Sequence, residues 1–177
     1  MKNIIFLAGI HGVGKDFIIN QARLPESIIH LTASNVLGWN DVSRDPKNKR
    51  VFSISETQDL LVTNLKKIVK DNQCYILDGH VTLLNKDGEI ERIPETTFYK
   101  INPKMLIVKK AEPEIICERL KKRDNKKWDI NKIILMQNEE IKYTKDIALK
   151  LDIPFYQLED HQEELLSSII NSELQNG

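Results

Sequence analysis

The chain has 177 residues, with 26 Lys and Arg balanced by 26 Asp and Glu. That length suits one domain with a real core, and 41% hydrophobic against 29% charged residues excludes disorder as a description of the whole. Zero net charge argues against a protein whose main task is coating DNA or an acidic membrane, because such affinity grows with cationic excess, but it leaves room for a local cluster of positive charge.

In chain order, the apolar run from Asn3 to Ala8 predicts a strand buried on both faces of a parallel sheet. A helix follows from Gly14 to about Ala22, then a strand over Ser27–Leu31. Residues 41–50 are polar and read as a surface loop. Ser55, paired with Gln58 in a capping box, opens a helix to about Lys70, and Cys74–Leu77 is the third strand. Val81–Leu84 and Glu89–Ile93 flank Asn85-Lys86-Asp87-Gly88, a turn sequence that predicts a β-hairpin. Lys104–Val108 is the fourth strand, and a helix runs from Pro113 to about Arg123. Asp129 caps a long helix to about Leu151, striped with Ile130, Ile133, Ile134, Gln137, Ile141, Ala148 and Leu151. Pro154–Leu158 is a fifth strand, and a last helix starts at Asp160.

Strands alternating with helices predict an α/β class fold with three α/β/α layers. The expectation is one domain over residues 1–177, with a five-stranded parallel sheet in the order 2-3-1-4-5 and a small hairpin insertion. An acceptor-side loop falls at about 33–52, the hairpin at about 81–93 and a short lid at about 123–129. The two cysteines, Cys74 and Cys117, lie in apolar stretches and read as reduced thiols. No cleavage site follows the short N-terminal apolar run, and no stretch is long enough to span a membrane. A cytoplasmic chain is expected, with a small-molecule partner, no membrane and no extended nucleic acid; a protein partner stays open.

The chemistry begins at Gly9-Ile10-His11-Gly12-Val13-Gly14-Lys15-Asp16, which fits the phosphate-binding pattern G-x-x-x-x-G-K between a buried strand and a helix. Glycines let successive N–H groups curl around an anion, the helix start adds its positive end, and Lys15 supplies a full charge to the outer phosphates. Gly9, His11, Gly12, Val13, Gly14, Lys15, Asp16 and Phe17 are therefore the expected nucleotide-binding residues, with ATP and Mg²⁺ as cofactors. Asp16 stands where the pattern has Ser or Thr; it either ligates Mg²⁺ as a hard oxygen donor or marks a site that binds nucleotide weakly.

Asp78, at the end of the third strand, lies at the sheet edge where such folds bind ligands, and would hold metal or accept a proton. His80 beside it would be a base, a hydrogen-bond donor or a turn residue. Arg119 and Arg123, four apart on one helix face, would offset charge in phosphoryl transfer. Thr32, Ser34, His80 and Arg44 are candidate substrate contacts, with Arg50 and Arg92 behind them. Lys15, Asp78, Arg119 and Arg123 form the candidate catalytic set, and Asp16 and Asp78 the candidate metal ligands.

With these residues assembled, the sequence resembles P-loop kinases of the nucleoside monophosphate kinase type, within the AAA-type P-loop NTPase superfamily. It is most similar to the adenylate-kinase-like ATP-binding proteins. Gly9–Asp16 looks like their Walker A, Asp78-Gly79-His80 like their D-x-H element, and residues 118–123 like the helix entering their short lid. The long helix with Gln137 and the strand at Ile153-Pro154 follow the same pattern, and residues 30–34 fall where those kinases begin to bind the acceptor. The resemblance implies an ATP-dependent phosphotransferase acting on a small acceptor such as a nucleoside monophosphate. Two departures stand out: Asp16, and the lack of a phosphate-binding arginine after Asp78-Gly79, where the hairpin follows instead. A slow ATPase working through a partner protein, or a nucleotide-binding domain without turnover, are the other readings.

Overall fold

Five apolar residues in a row, Ile4–Ala8, form strand β1 and are all buried, because helices cover both faces of the sheet they join. The computed structural model describes residues 1, 3–38, 50–51 and 54–175. After β1 come α1 (Lys15–Gln21), β2 (Ile28–Thr32), α2 (Ala33–Leu37), β3 (Arg50–Val51), α3 (Ile54–Ile68) and β4 (Cys74–Asp78). Then follow β5 (Thr82–Asn85), β6 (Ile90–Arg92), α4 (Glu95–Ile101), β7 (Met105–Lys109), α5 (Pro113–Asp124), α6 (Ile130–Leu151), β8 (Phe155–Leu158) and α7 (Glu163–Gln175).

The main sheet has five parallel strands in the order β2-β4-β1-β7-β8. Counting only its own strands along the chain, that order is 2-3-1-4-5. Alternation along β1 divides the core in two. Ile4, Phe6 and Ala8 face a layer built with Leu61 and Leu65 of α3, Phe98 and Ile101 of α4, and Tyr143 and Ile147 of α6. Ile5 and Leu7 face the opposite layer, with Ile18 of α1 and Leu166, Ile169 and Ile170 of α7. A third cluster seats Ile10 and Val13 against Ile116 and Leu120 of α5 and Ile133 of α6, which fixes the segment after β1 to the helices beside it.

Several boundaries and three elements differ from the sequence expectation. The hairpin forms, as β5 and β6, but β3 adds a parallel strand to it, giving a separate three-stranded sheet. Arg50, placed above in a polar loop, therefore begins a strand, while 41–49 lie outside the described residues, as does the Ser55 side chain of the expected capping box. The last helix starts at Glu163, not Asp160, because the Asp160 side chain is engaged elsewhere. Helices α2 and α4 were not foreseen: at five and seven residues each shows less than two turns of periodicity. Thr32 caps α2 by accepting a hydrogen bond from the Asn35 amide at 3.2 Å. On α6 the buried face is Ile133, Met136, Gln137, Glu140, Tyr143, Thr144, Ile147 and Ala148, so Ile134 is turned outward. Asp129 does cap that helix, accepting from the Asn131 amide at 2.9 Å.

Cys74 and Cys117 are free thiols, each half-buried and not in the core proper. Among the described residues no helix is long and apolar enough to cross a membrane.

Candidate functional site

Between β1 and α1 the chain turns through Gly12 at φ 82° and Gly14 at φ 93°, a region side chains other than glycine's rarely adopt. A Cβ on Gly12 would also lie 2.8 Å from Leu120 Cγ. Gly14 precedes α1 and contributes no capping side chain, so no side chain occupies the helix start from that position. Val13 is in the core and Gly9 lies at the base of the loop, both set back from the cavity. His11, Gly12, Gly14, Lys15, Asp16 and Phe17 line it.

Lys15 is buried and folded back over its own loop. Its Nζ donates to the Gly9 carbonyl at 2.5 Å and lies 3.5 Å from Asp78 Oδ1. A buried ammonium needs such partners, since desolvation without them costs several kcal/mol (roughly 3 or more). Asp78 is likewise buried, at the end of β4, and burial pushes its carboxyl above the usual carboxylate range against the pull of Lys15. Asp16, on the first turn of α1, is exposed. His30, on β2, sets its Nε2 3.9 Å from Asp16 Oδ1. One ligand atom each from Asp16, His30 and Asp78 falls within 4.8 Å of the others. Two converging carboxylates supply the hard oxygen donors that Mg²⁺ takes, so the residues present fit such an ion.

On the far wall, Arg119 Nη1 donates to the carbonyls of Val13 at 3.0 Å and Gly12 at 3.4 Å, placing a guanidinium against the loop. Asp160 steadies it, with Oδ2 3.7 Å from Nη2, while Asp160 Oδ1 accepts from the buried Lys109 at 2.5 Å. Arg123 also lines the cavity, but it is engaged in a two-pronged pair with Asp124, at 2.5 and 2.8 Å. That pair, together with the Trp128 indole N–H, holds the Asp124 carboxyl below the usual range. The His80 ring meets the His11 ring at a tilt of 50°, with centroids 4.0 Å apart.

The cavity is about 790 Å³ and continues past Asp78 into a chamber beneath α3 and α4. Leu37, Leu61, Ile93, Phe98 and Ile101 make that chamber apolar, and Thr57, Gln58 and Thr97 give it polar points. Thr32 and Ser34 stand at its entrance, their hydroxyls 3.3 Å apart. Arg44 lies outside the described residues, as does the Arg50 side chain. Arg92 is corrected: it sits on β6, paired with Glu139 and set over the Tyr143 ring, away from the cavity.

Sequence reasoning missed the approach of His30 to Asp16 and Asp78, and also Asp160, the chamber residues and, above all, Glu140. This carboxylate is wholly buried on α6 and accepts from the amides of Gly9 at 3.0 Å, Val81 at 2.9 Å and Thr82 at 2.8 Å, and from the Thr82 hydroxyl. It thus ties the first residue of the phosphate loop to the hairpin. Its burial raises its pKa, while the Thr82 hydroxyl, the Val81 and Thr82 amides and Lys15 pull the other way. A signal existed: Glu140 falls three residues after Gln137 on the buried stripe, where a solvated acid does not belong. Gln137 itself exchanges two hydrogen bonds with Ala111, at 3.0 and 2.9 Å, fixing the turn from β7 into α5.

Residues 8–134 match the family model of the AAA domain, a span covering more than half of the chain. No curated protein matches it.

Proposed function

The chain belongs to the AAA domain family of P-loop nucleotide-binding proteins, and we propose that within it this is an ATP-dependent phosphotransferase acting on a small acceptor such as a nucleoside monophosphate. The observation that carries this reading is the chamber: hydrolysis needs room for water alone, whereas here the cavity runs on from Lys15 and Asp78 into an apolar recess with a few polar points, as recognition of a second small molecule requires. The aromatic face of Phe98 and the Gln58 amide suit a planar, hydrogen-bonding ring.

In the reaction, an acceptor oxygen forms a bond to the γ-phosphorus as the bond to the bridging oxygen breaks, ADP leaves, and the acceptor proton passes to a base. Lys15 leaves the Gly9 carbonyl to bind the outer phosphates, and Arg119 offsets charge on the transferred group from the opposite wall. Asp78, at the join of loop and chamber and with its affinity for a proton raised, is placed to receive the acceptor proton. Mg²⁺, held by Asp16 and by Asp78 when that carboxylate is not serving as the base, would supply further neutralisation of phosphate charge. Thr32 and Ser34 guide the acceptor. Such a donor is met in the cytoplasm, with which two unbridged thiols agree.

The test is ADP release from ATP measured against a panel of nucleoside monophosphates and small alcohols. Release stimulated by one acceptor class supports the reading. Release at the same rate with every acceptor and with none overturns it in favour of an ATPase.

A further inference from the structure

Beside the two cavity-lining carboxylates Asp16 and Asp78 stands a third ligand-bearing side chain, His30, that the phosphate-loop pattern does not ask for. We propose that Asp16, His30 and Asp78 bind one divalent first-row transition cation, of the Mn²⁺ to Zn²⁺ series, through an imidazole nitrogen and two carboxylates, and prefer it to Mg²⁺. This goes beyond the phosphotransferase reading, because all three ligands belong to the chain and no nucleotide is needed to complete them.

The backbone fixes two of the three. Strands β2 and β4 pair in parallel with Thr32 opposite Asp78 and His30 opposite Ile76, so His30 stands two residues before the partner of Asp78. A spacing of two along a strand returns to the same face of the sheet, which puts the imidazole on the Asp78 side. The His30 Nε2 atom is buried and makes no hydrogen bond, an arrangement that leaves a nitrogen lone pair or N–H unsatisfied and is costly without a further partner. Its near neighbour is Asp16 Oδ1 at 3.9 Å, too far for a hydrogen bond but suited to two ligands of one ion.

An ion with bonds of about 2.1 Å sets its ligands ~3 Å apart when adjacent and ~4.2 Å when opposite. The observed spread, within 4.8 Å, is close to that range, and Asp16, whose side chain is 72% exposed and already meets the Asp78 carboxyl, is the ligand with room to adjust. Asp16 replaces the hydroxyl of the usual loop pattern, which adds a full negative charge to the set. Lys15 does not block the ion: it meets Asp78 at 3.5 Å but has the Gly9 carbonyl at 2.5 Å, so displacing it from the carboxylate leaves the ammonium partnered. Mg²⁺ takes oxygen ligands and dehydrates reluctantly, whereas imidazole nitrogen favours the later first-row cations.

The experiment uses the full chain without nucleotide. Mn²⁺ is titrated and bound ion is read by loss of the free Mn²⁺ electron-resonance signal, and nitrogen ligation by electron spin-echo modulation. The expected result is one bound Mn²⁺ with a nitrogen coupling, displaced by Zn²⁺ at lower concentration than Mn²⁺ and by Mg²⁺ only at tenfold excess or more. His30→Ala should abolish the nitrogen coupling and weaken Mn²⁺ binding about tenfold or more. Asp16→Asn, at an exposed position with no fold to disturb, should weaken it as well. No Mn²⁺ binding, an unchanged nitrogen coupling in His30→Ala, or displacement by equimolar Mg²⁺ would each overturn the proposal. Binding of a fluorescent ATP analogue in Mg²⁺-containing buffer is measured alongside: its absence speaks against the phosphotransferase reading, and its retention with no Mn²⁺ site speaks against this one alone.

Discussion

At Lys15 the ligand-free protein satisfies its own phosphate-binding charge, with the Gly9 carbonyl and Asp78 standing where phosphate oxygens would compete. Lys15→Ala removes the competition together with the contact, and should lower kcat/KM for ATP by about 100-fold or more, read from steady-state ADP release. Arg123 presents a similar competition with Asp124. Because Arg123 holds the Asp124 carboxyl below its ordinary value, the folded state binds that proton less tightly than the unfolded one. The pair's contribution is therefore present above the unfolded value and lost as pH falls through the lowered one. Asp124→Asn should melt below the native protein at pH 7, and the gap should close below about pH 4, a trend that thermal melts across pH will check. The loop residues were readable from sequence because their job is local and their spacing is short. His30 was not: its neighbours Asp16 and Asp78 come from α1 and β4, and only the pairing of β2 with β4 brings them together.

Among the elements, α6 does two jobs with one face. Ile133, Ile147 and Ala148 bury apolar surface, while Glu140 and Gln137, on the same stripe, hold backbone groups that would otherwise be buried unpaired. Glu140→Ala should destabilise the fold by about 3 kcal/mol or more, since it leaves three buried amides without an acceptor, and the urea midpoint should fall accordingly. Glu140→Gln keeps the volume but turns an NH₂ toward N–H donors, so it should recover less than half of that loss in the same measurement. Long elements were legible because periodicity accumulates along them. The limits of α6 match the expectation, yet its buried face had to be read from the structure, because a polar residue on a stripe carries no mark of whether its partners exist. The short helices α2 and α4 left no such trace.

For the molecule as a whole, the order of the parallel strands and the place of the ligand edge followed from the alternation of strand and helix. The chamber did not, since its walls come from β1, α2, α3 and α4 and meet only in three dimensions. Its polar points make a direct test: Gln58→Leu should raise KM for the acceptor about tenfold, with the ATP dissociation constant, measured by calorimetry, changed less than twofold.

The bond from Glu140 to Gly9 spans 131 residues of chain, and it begins beyond residue 134, where the family match ends. A fragment cut to the matched segment would therefore carry every residue of the loop and still lack the group that holds its first amide. It would also lose β8 and most of β1. The unit that recurs between proteins and the unit that can be expressed as a stable piece are thus different lengths of the same chain. Dissection experiments should keep the C-terminal helices even though no loop residue lies in them.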